Sequence, residues 1–334
     1  MAFVPVYHLT PHAQQLLVDI TTLKNKIDSA TVSVSWIPSL SRDASSRTAR
    51  SSTAIEGNPL SLKEVQVLAD GGDLPGVGDR HKQEVLNTLA ALKFVSEHSE
   101  QKVVTTKDVL RLHKIIGKDA LERGPVGEFR PYDVSVDPYE PPPFEKVSAL
   151  IDELASWLNG PGQEMPAIIT SAILHCQFET IHPFGDGNGR VGRMLATWEL
   201  YRRQFDIHHI FAVDEVFYDN RQLYYKALYR VQSGNADFSG WIEFACEAIQ
   251  LTLERVWERI VLVRSGNVSG EKIVLTPKQE ALIKILRDGP LGIHDIQGKL
   301  KVTRPGAHFI LKPLVERGIL KRVGGYRTGK YALI

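Results

Sequence analysis

Apolar residues recur along most of the chain at helical spacing. Leu16, Leu17, Ile20 and Leu23 form one stripe, and Val85, Leu86, Leu89, Leu92 and Phe94 form another. Val147, Leu150, Ile151, Leu154, Trp157 and Leu158 make a third, followed by Ala167, Ile168, Ile169, Ala172, Ile173 and Leu174. Steps of three and four residues place such side chains on one face of a helix, and that face needs a partner to bury it. The prediction is a mainly α fold. His113 and His175 fall within these helical segments and read as packing or capping residues. Strand-like alternation is scarce. Val134 and Val136, with polar neighbours, suggest one short strand.

The pattern breaks near residue 265. Ser265-Gly266-Asn267-Val268-Ser269-Gly270 is small, polar and flexible, which predicts a linker. Beyond it, Thr276 caps a helix with Pro277 in its first turn. Residues 292–300 read as a second, shorter helix. Thr303 caps a third, carrying Ile310, Leu311, Leu314 and Val315. Residues 318–327 read as a hairpin around Gly324-Gly325. Three helices and a hairpin in so short a span resemble a winged helix.

Charge changes the picture of this last segment. The 334 residues carry a net charge of only +1. Residues 271–334, however, hold thirteen Lys/Arg against five Asp/Glu, a balance of +8. The other 270 residues hold 27 against 34, a balance of −7. A basic winged helix suggests DNA, because Lys and Arg attract phosphate regardless of sequence. Such modules also serve protein docking or dimerisation, and the third helix offers only Arg304, His308 and Lys312 for reading bases. Both readings stay open. The two cysteines, Cys176 and Cys246, lie in apolar helical patterns and read as buried thiols of a reducing compartment. The N-terminus has no basic region followed by an apolar stretch, so no signal peptide is expected. No window approaches 18 uninterrupted apolar residues, so no membrane span is expected, and the cytoplasm is the expected location.

Chemistry concentrates in His182-Pro183-Phe184-Gly185-Asp186-Gly187-Asn188-Gly189-Arg190-Val191-Gly192-Arg193. An unperturbed imidazole titrates near about 6.5, so His182 can accept a proton at cellular pH. Asp186 is a hard oxygen ligand of the kind that holds Mg2+ beside substrate phosphates. Gly187 and Gly189 reach backbone angles barred to other residues and admit a ligand closely. Backbone N–H groups in such a turn form an anion nest, strengthened if a helix begins there. Residues 190–200 do read as a helix, which sets Arg190 and Arg193 three apart on one face, aimed at the same phosphates. The Asn188 amide can donate to a phosphoryl oxygen. A loop alone explains two or three of these residues but not the whole string. The run is neither a P-loop nor the dinucleotide fingerprint.

This string resembles the signature of the Fic family, His-Pro-Phe-x-Asp/Glu-Gly-Asn-Gly-Arg-x-x-Arg, at every defined position. The resemblance implies a nucleotidyltransferase that moves AMP from ATP onto a Ser, Thr or Tyr hydroxyl of a protein, itself included, and releases pyrophosphate. His182 would take the proton of the attacking hydroxyl. Asp186 would hold Mg2+ between the α- and β-phosphates. Asn188 and the turn's N–H groups, including those of Gly185, Gly187 and Gly189, would stabilise the α-phosphoryl oxygens. Arg190 and Arg193 would bind the β- and γ-phosphates, and Phe184 would pack beneath the loop. Gly127-Glu128-Phe129-Arg130 and the prolines at 141–143 resemble the segment that carries the family's β-hairpin flap, whose edge can take up an extended target by strand addition. Tyr224 and Tyr225 resemble the Tyr-Tyr pair that walls the adenosine pocket. Read from the residues alone, either is as readily a core aromatic.

Far upstream, Ser52-Thr53-Ala54-Ile55-Glu56-Gly57 resembles the family's inhibitory motif, Ser/Thr-x-x-x-Glu-Gly/Asn. Read on its own it is a helix ended by Gly57. The resemblance pairs Glu56 with Arg193 and, from the N-terminal position of the motif, implies the second of three inhibition classes. The expected organisation is an N-terminal helical region with the inhibitory motif (1–95), a Fic helical core with a short flap (96–264), a linker (265–270) and a winged-helix domain (271–334). Expected partners are ATP, Mg2+, a protein target, a second copy in a homodimer, and DNA through residues 271–334. Two rival readings are the reverse reaction, AMP removal, and a DNA-binding regulator whose Fic core is a sensor.

Overall fold

The computed structural model describes residues 2–30, 36–234, 236–265, 277–286, 289–316, 320–323 and 329–333. The expected linker at 266–270, the Thr276 cap and the Gly324-Gly325 turn lie outside the described residues, as do the side chains of Arg304 and His308. The chain divides into two compact units. Residues 1–27 and 41–258 form the first, and residues 28–40 and 259–334 the second. Most of the expected N-terminal region and of the expected core falls within the first unit, while residues 28–40 and 259–264 fall in the second.

The first unit is helical. Its elements are α1 (Pro11–Ala30), α2 (Ile37–Ile55), α3 (Leu62–Ala69), α4 (Asp79–Glu97), α5 (Thr106–Gly117), α6 (Phe144–Asn159), α7 (Ala167–Ile181), α8 (Asn188–Arg202), α9 (Val213–Asp219), α10 (Arg221–Ser233) and the long α11 (Ser239–Ser265) that runs on into the second unit. α7 is the centre. Its residues are mostly apolar or small on every side, and twelve of the fifteen are buried, His175 and Glu179 among them. A helix with no polar face has to be enclosed by other helices. α8 packs along it, and α4, α5 and α6 close around the pair. Two large aromatics fix the packing through their single donors: Trp241 Nε1 bonds Ala172 O at 2.6 Å, and Trp198 Nε1 bonds His98 O at 3.0 Å. Both cysteines are buried and free, as expected.

Helix starts follow sequence chemistry. Ser61 and Glu64 form a capping box on α3, and Thr105 and Asp108 form one on α5. α2 ends where the sequence puts its stop, at Gly57, whose φ of 98° suits glycine. The flap differs from expectation. In place of strands through Val134 and Val136, there is one antiparallel bridge between Val136 and Tyr139. Arg130 ties the two ends of the segment together, donating to Tyr132 O and Pro142 O.

The second unit contains α12 (Pro277–Leu286), β1 (Leu291–Gly292), α13 (Ile293–Leu300), α14 (Arg304–Glu316), β2 (Leu320–Val323) and β3 (Lys330–Leu333). The strands pair antiparallel in the order β1-β3-β2, with Tyr331 opposite both Leu291 and Arg322. Thr303 caps α14, as expected, through Gly306 N and Ala307 N. Leu282, Leu286, Ile296, Ile310, Leu311, Leu314 and Leu320 make its core. Sequence reading found the three helices and the hairpin but not β1, which is two residues long. Among the described residues, no helix is long and apolar enough to cross a membrane.

Trp198 is 1% exposed where α8 meets α4. Trp198→Ala is expected to cost about 3–5 kcal/mol, read as a lowered denaturant midpoint with the slope unchanged.

Candidate active site

The junction between α7 and α8 gathers the chemistry. α7 ends at His182, which adopts the left-handed conformation (φ 49°, ψ 61°) while its N–H still bonds Phe178 O at 2.9 Å. Pro183 cannot continue the helix. The chain then turns sharply until Gly187, at φ 82°, starts α8. A side chain at Gly187 would be strained by that angle. Gly185 is small for another reason. A Cβ there would lie 2.6 Å from Tyr132 Oη and 3.1 Å from Gly124 Cα.

The turn is held from within and from below. Asn188 bonds the Phe184 backbone twice, Oδ1 accepting from N and Nδ2 donating to O, both at 2.9 Å. The carboxamide oxygen and one of the two amide N–H groups are thus engaged by the loop. Phe184 is fully buried and stacks on His113 with ring centroids 3.6 Å apart. It lies under the loop and cannot touch a nucleotide, so it leaves the ATP-contacting set. His113 was read as a packing residue, and it supports the loop specifically. Gly127 N–H donates to its Nδ1 at 3.0 Å, which makes Nε2 the donor to Asp186 O at 3.1 Å. Burial lowers its pKa to about 4, so it stays neutral.

Arg130 braces the other side. It is 2% exposed, donates from Nε to His182 O at 2.9 Å, and its backbone N–H bonds Pro183 O at 2.9 Å. The Gly127–Arg130 string was the sequence signal for this residue. Its bracing role needed the fold. Burial, with Arg130 second, lowers the His182 pKa to about 4. His182 is therefore an unprotonated acceptor at neutral pH.

Gly187 offers α8 no side-chain cap. The first N–H groups of the helix, at Asn188, Gly189 and Arg190, have no partner within it, and the helix dipole adds partial positive charge there. This is an anion cradle. Asp186 flanks it, one oxygen accepting from Gly187 N and, at 3.3 Å, from Arg190 Nη2, the other from Glu122 N at 2.9 Å. Arg190 is 3% exposed and also lies 3.8 Å from Glu84.

Arg193 points elsewhere than Arg190. It is 1% exposed and donates to Glu56 Oε1 at 2.7 Å, Ser52 Oγ at 3.0 Å and Ser52 O at 2.9 Å. Burial alone would lower its pKa, but Tyr224, Glu56 and Asp214 outweigh it and keep the guanidinium charged. The Glu56–Arg193 pair thus forms as the resemblance implied, from the end of α2 to α8. The Glu56 carboxylate also rests on Gly189, where a Cβ would come within 2.2 Å of Oε1.

The two tyrosines separate. Tyr224 is 1% exposed, accepts from Arg193 Nη1 at 3.3 Å, and lies 3.1 Å from His175 Nε2. It supports the arginine from the core. Tyr225 is 41% exposed, and its hydroxyl bonds Ile55 O at 3.3 Å beside Glu56. Adjacent positions on a helix point in different directions, and which of the two faces the core depends on how α10 packs. Asp214 and Glu179, both buried beside this network, also escaped sequence reading. Burial pushes the Glu179 carboxyl up to about 8 against the pull of Arg193.

An unprotonated histidine ends one helix and an uncapped start with two arginines opens the next, a helical arrangement of the Fic type. Comparison with known sequences makes the assignment: residues 103–200 match the Fic/DOC family, and the chain carries a domain of that family. A protein adenylyltransferase of Caenorhabditis briggsae is 30% identical over 237 residues, which is 68% of this chain and 44% of the relative. Another, from Aedes aegypti, is 30% identical over 61% of this chain and 40% of its own length. The chain thus spans less than half the length of these curated relatives. A solved Fic family protein of Desulfovibrio desulfuricans is 26% identical, matches 99% of this chain and 98% of its own, and superposes with a TM-score of 0.68.

One pH effect follows from the core of this site. Tyr224 Oη accepts from Arg193 and so donates to His175 Nε2, which must be unprotonated. Burial, then Arg193, lowers the His175 pKa to about 3. A histidine with a depressed folded-state pKa gains protons on unfolding, so its stabilisation is present above about 6.5 and lost as pH falls toward 3. His175→Gln should make the loss of unfolding free energy between pH 7 and pH 5 shallower by about 1–2 kcal/mol, measured by denaturant titration at both values. An unchanged slope would count against a neutral His175.

Proposed function

We propose that this protein is a protein adenylyltransferase that moves AMP from ATP onto a Ser, Thr or Tyr hydroxyl of a protein, itself included. The observation that carries the reading is the α7–α8 junction: a neutral His182 facing an uncapped helix start. The names of the relatives point the same way. His182 accepts the hydroxyl proton as that oxygen attacks the α-phosphorus. The new O–P bond forms as the bond to the β-phosphate oxygen breaks, and pyrophosphate leaves. The N–H groups of residues 188–190 take up charge on the α-phosphoryl oxygens. Arg190 and Arg193 bind the β- and γ-phosphates. Most of the acceleration would come from positioning and preorganised electrostatics.

The residues fit an Mg2+ requirement in a limited sense. Asp186 is the one ligand the loop offers; its side chain is 25% exposed and its two oxygens accept three donors. A carboxylate has about four lone-pair sites, which leaves capacity for a hard cation whose other ligands are phosphates and water. Bound there, Mg2+ would neutralise phosphate charge.

Glu56 is the proposed inhibitor. Its carboxylate neutralises Arg193 and takes the space over Gly189 that a phosphate chain would need. A charge-assisted pair of this kind shifts an equilibrium by about ten- to a hundredfold. The test uses ATP labelled at the α-phosphate. Glu56→Gly should raise auto-labelling at least about tenfold, and His182→Ala should abolish it in either background while ATP binding survives. Labelling at the parental rate by His182→Ala would sink the mechanism. Faster release of AMP from a labelled protein with Glu56 present than with Glu56→Gly would assign the reverse reaction instead.

For residues 271–334 we propose attachment to DNA, on the strength of their charge and of Lys301, Lys321, Arg322 and Lys330, all exposed. Duplex DNA should be retarded by the full chain at low salt and released as salt rises. No retardation, together with a dimer in solution, would assign the segment to association between copies.

A further inference from the structure

The partners of Arg193 fall into two kinds. Glu56 can be exchanged: its side chain is 37% exposed and it follows the last residue of α2. The others are sealed, with Ser52 at 0%, Tyr224 at 1% and Asp214 at 2% exposure. Their proton directions can be assigned. A guanidinium has only donors, so Nε–H donates to Ser52 Oγ. The Ser52 hydroxyl then sends its own proton to the Asp214 carboxylate. The other oxygen, Oδ2, has no hydrogen-bond donor and lies 3.7 Å from Arg193 Nε. Asp214, Ser171, His175 and Arg193 border a cavity of about 30 Å3 whose remaining lining is mostly apolar. The carboxylate is cut off from bulk water, so Arg193 is its compensating charge.

We propose that Asp214 is a positioning residue, which holds the Arg193 guanidinium in place, through Ser52 and by its own charge, when Glu56 gives way to a substrate phosphate. Two carboxylates thus share one arginine. Asp214 is the permanent partner at the start of α9, and Glu56 is the removable one. Asp214 fixes which way the Ser52 hydroxyl points, and that keeps Ser52 an acceptor for Nε–H. Ser52, Thr53 and Ile55 are buried, so loss of Glu56 does not require α2 to leave. The arginine then meets the phosphate already oriented, and ordering it costs nothing at the moment of binding.

This rests on the adenylyltransferase reading only for what Arg193 binds. Full-length Glu56→Gly, Glu56→Gly/Asp214→Ala and Glu56→Gly/Asp214→Asn proteins would be titrated calorimetrically with ATP and with ADP in Mg2+. Asp214→Ala should weaken ATP at least about fivefold and ADP much less, because only ATP has the terminal phosphate. Asp214→Asn keeps an acceptor for the Ser52 hydroxyl and should recover part of the loss. Equal losses for both nucleotides, or none, would overturn the proposal. A second measurement needs neither nucleotide nor an Asp214 variant. The Arg193 Nε–H of the Glu56→Gly protein, followed by NMR, should still exchange slowly with water. Rapid exchange would mean that Glu56 alone ordered the arginine, and Asp214 would lose its role. If the Glu56→Gly protein bound neither nucleotide, the enzymatic reading would fall, and the role of Asp214 would be decided by whether Arg193 Nε–H exchanges faster in Glu56→Gly/Asp214→Ala than in Glu56→Gly, as the proposal expects, or at the same rate, which would overturn it.

Discussion

A guanidinium with no access to water has to find its counter-charges inside the fold, and Arg193 draws them from three segments. Glu56 and Ser52 come from α2, Asp214 from α9 and Tyr224 from α10. Removing any one leaves a buried charge less well compensated, which is far more costly than losing a surface pair. The arginine therefore ties α2, α8 and the helices after it into one arrangement. The same need for compensation explains why a residue so far upstream as Glu56 ends beside the loop.

The loop itself is a case of shape held by many small constraints. Asn188 closes it from within, His113 and Phe184 support it from below, and Arg130 ties its entry to the segment before α6. None of these groups has a reacting atom to offer. Their effect is to fix the start of α8, whose first three N–H groups have no partner within the helix, beside an unprotonated imidazole. Chemistry of phosphate esters asks for that more than for reactive side chains. Both histidines that touch the network, His113 and His175, are neutral because they are buried, so their hydrogen-bond directions are fixed at neutral pH.

The helical character of the chain and the α7–α8 junction were legible from residue order, whereas the Glu56–Arg193 pair came only from the family resemblance. The first two depend on local signals: apolar spacing, a proline after a histidine, a glycine that ends a helix, and a twelve-residue string with few other uses. The C-terminal helices and hairpin were legible for the same reason, whereas the two-residue β1 carries no periodicity to read. The flap strand was overcalled. Alternation of two valines is weak evidence for a strand.

What residue order could not decide was which side of each helix faces which neighbour. Tyr224 and Tyr225 are equal as letters; packing buries one against Arg193 and leaves the other at the surface. Asn188 has an amide suited to a phosphate, and the turn engages its oxygen and one of its N–H groups at Phe184. His113, Arg130 and Asp214 lie 73, 56 and 28 positions from Asp186 in the sequence, and only the folded chain brings them to one network. Local chemistry is written in short strings because helices and turns close over a few residues. Compensation of buried charge depends on contacts between distant segments, and those exist only once the helices have packed.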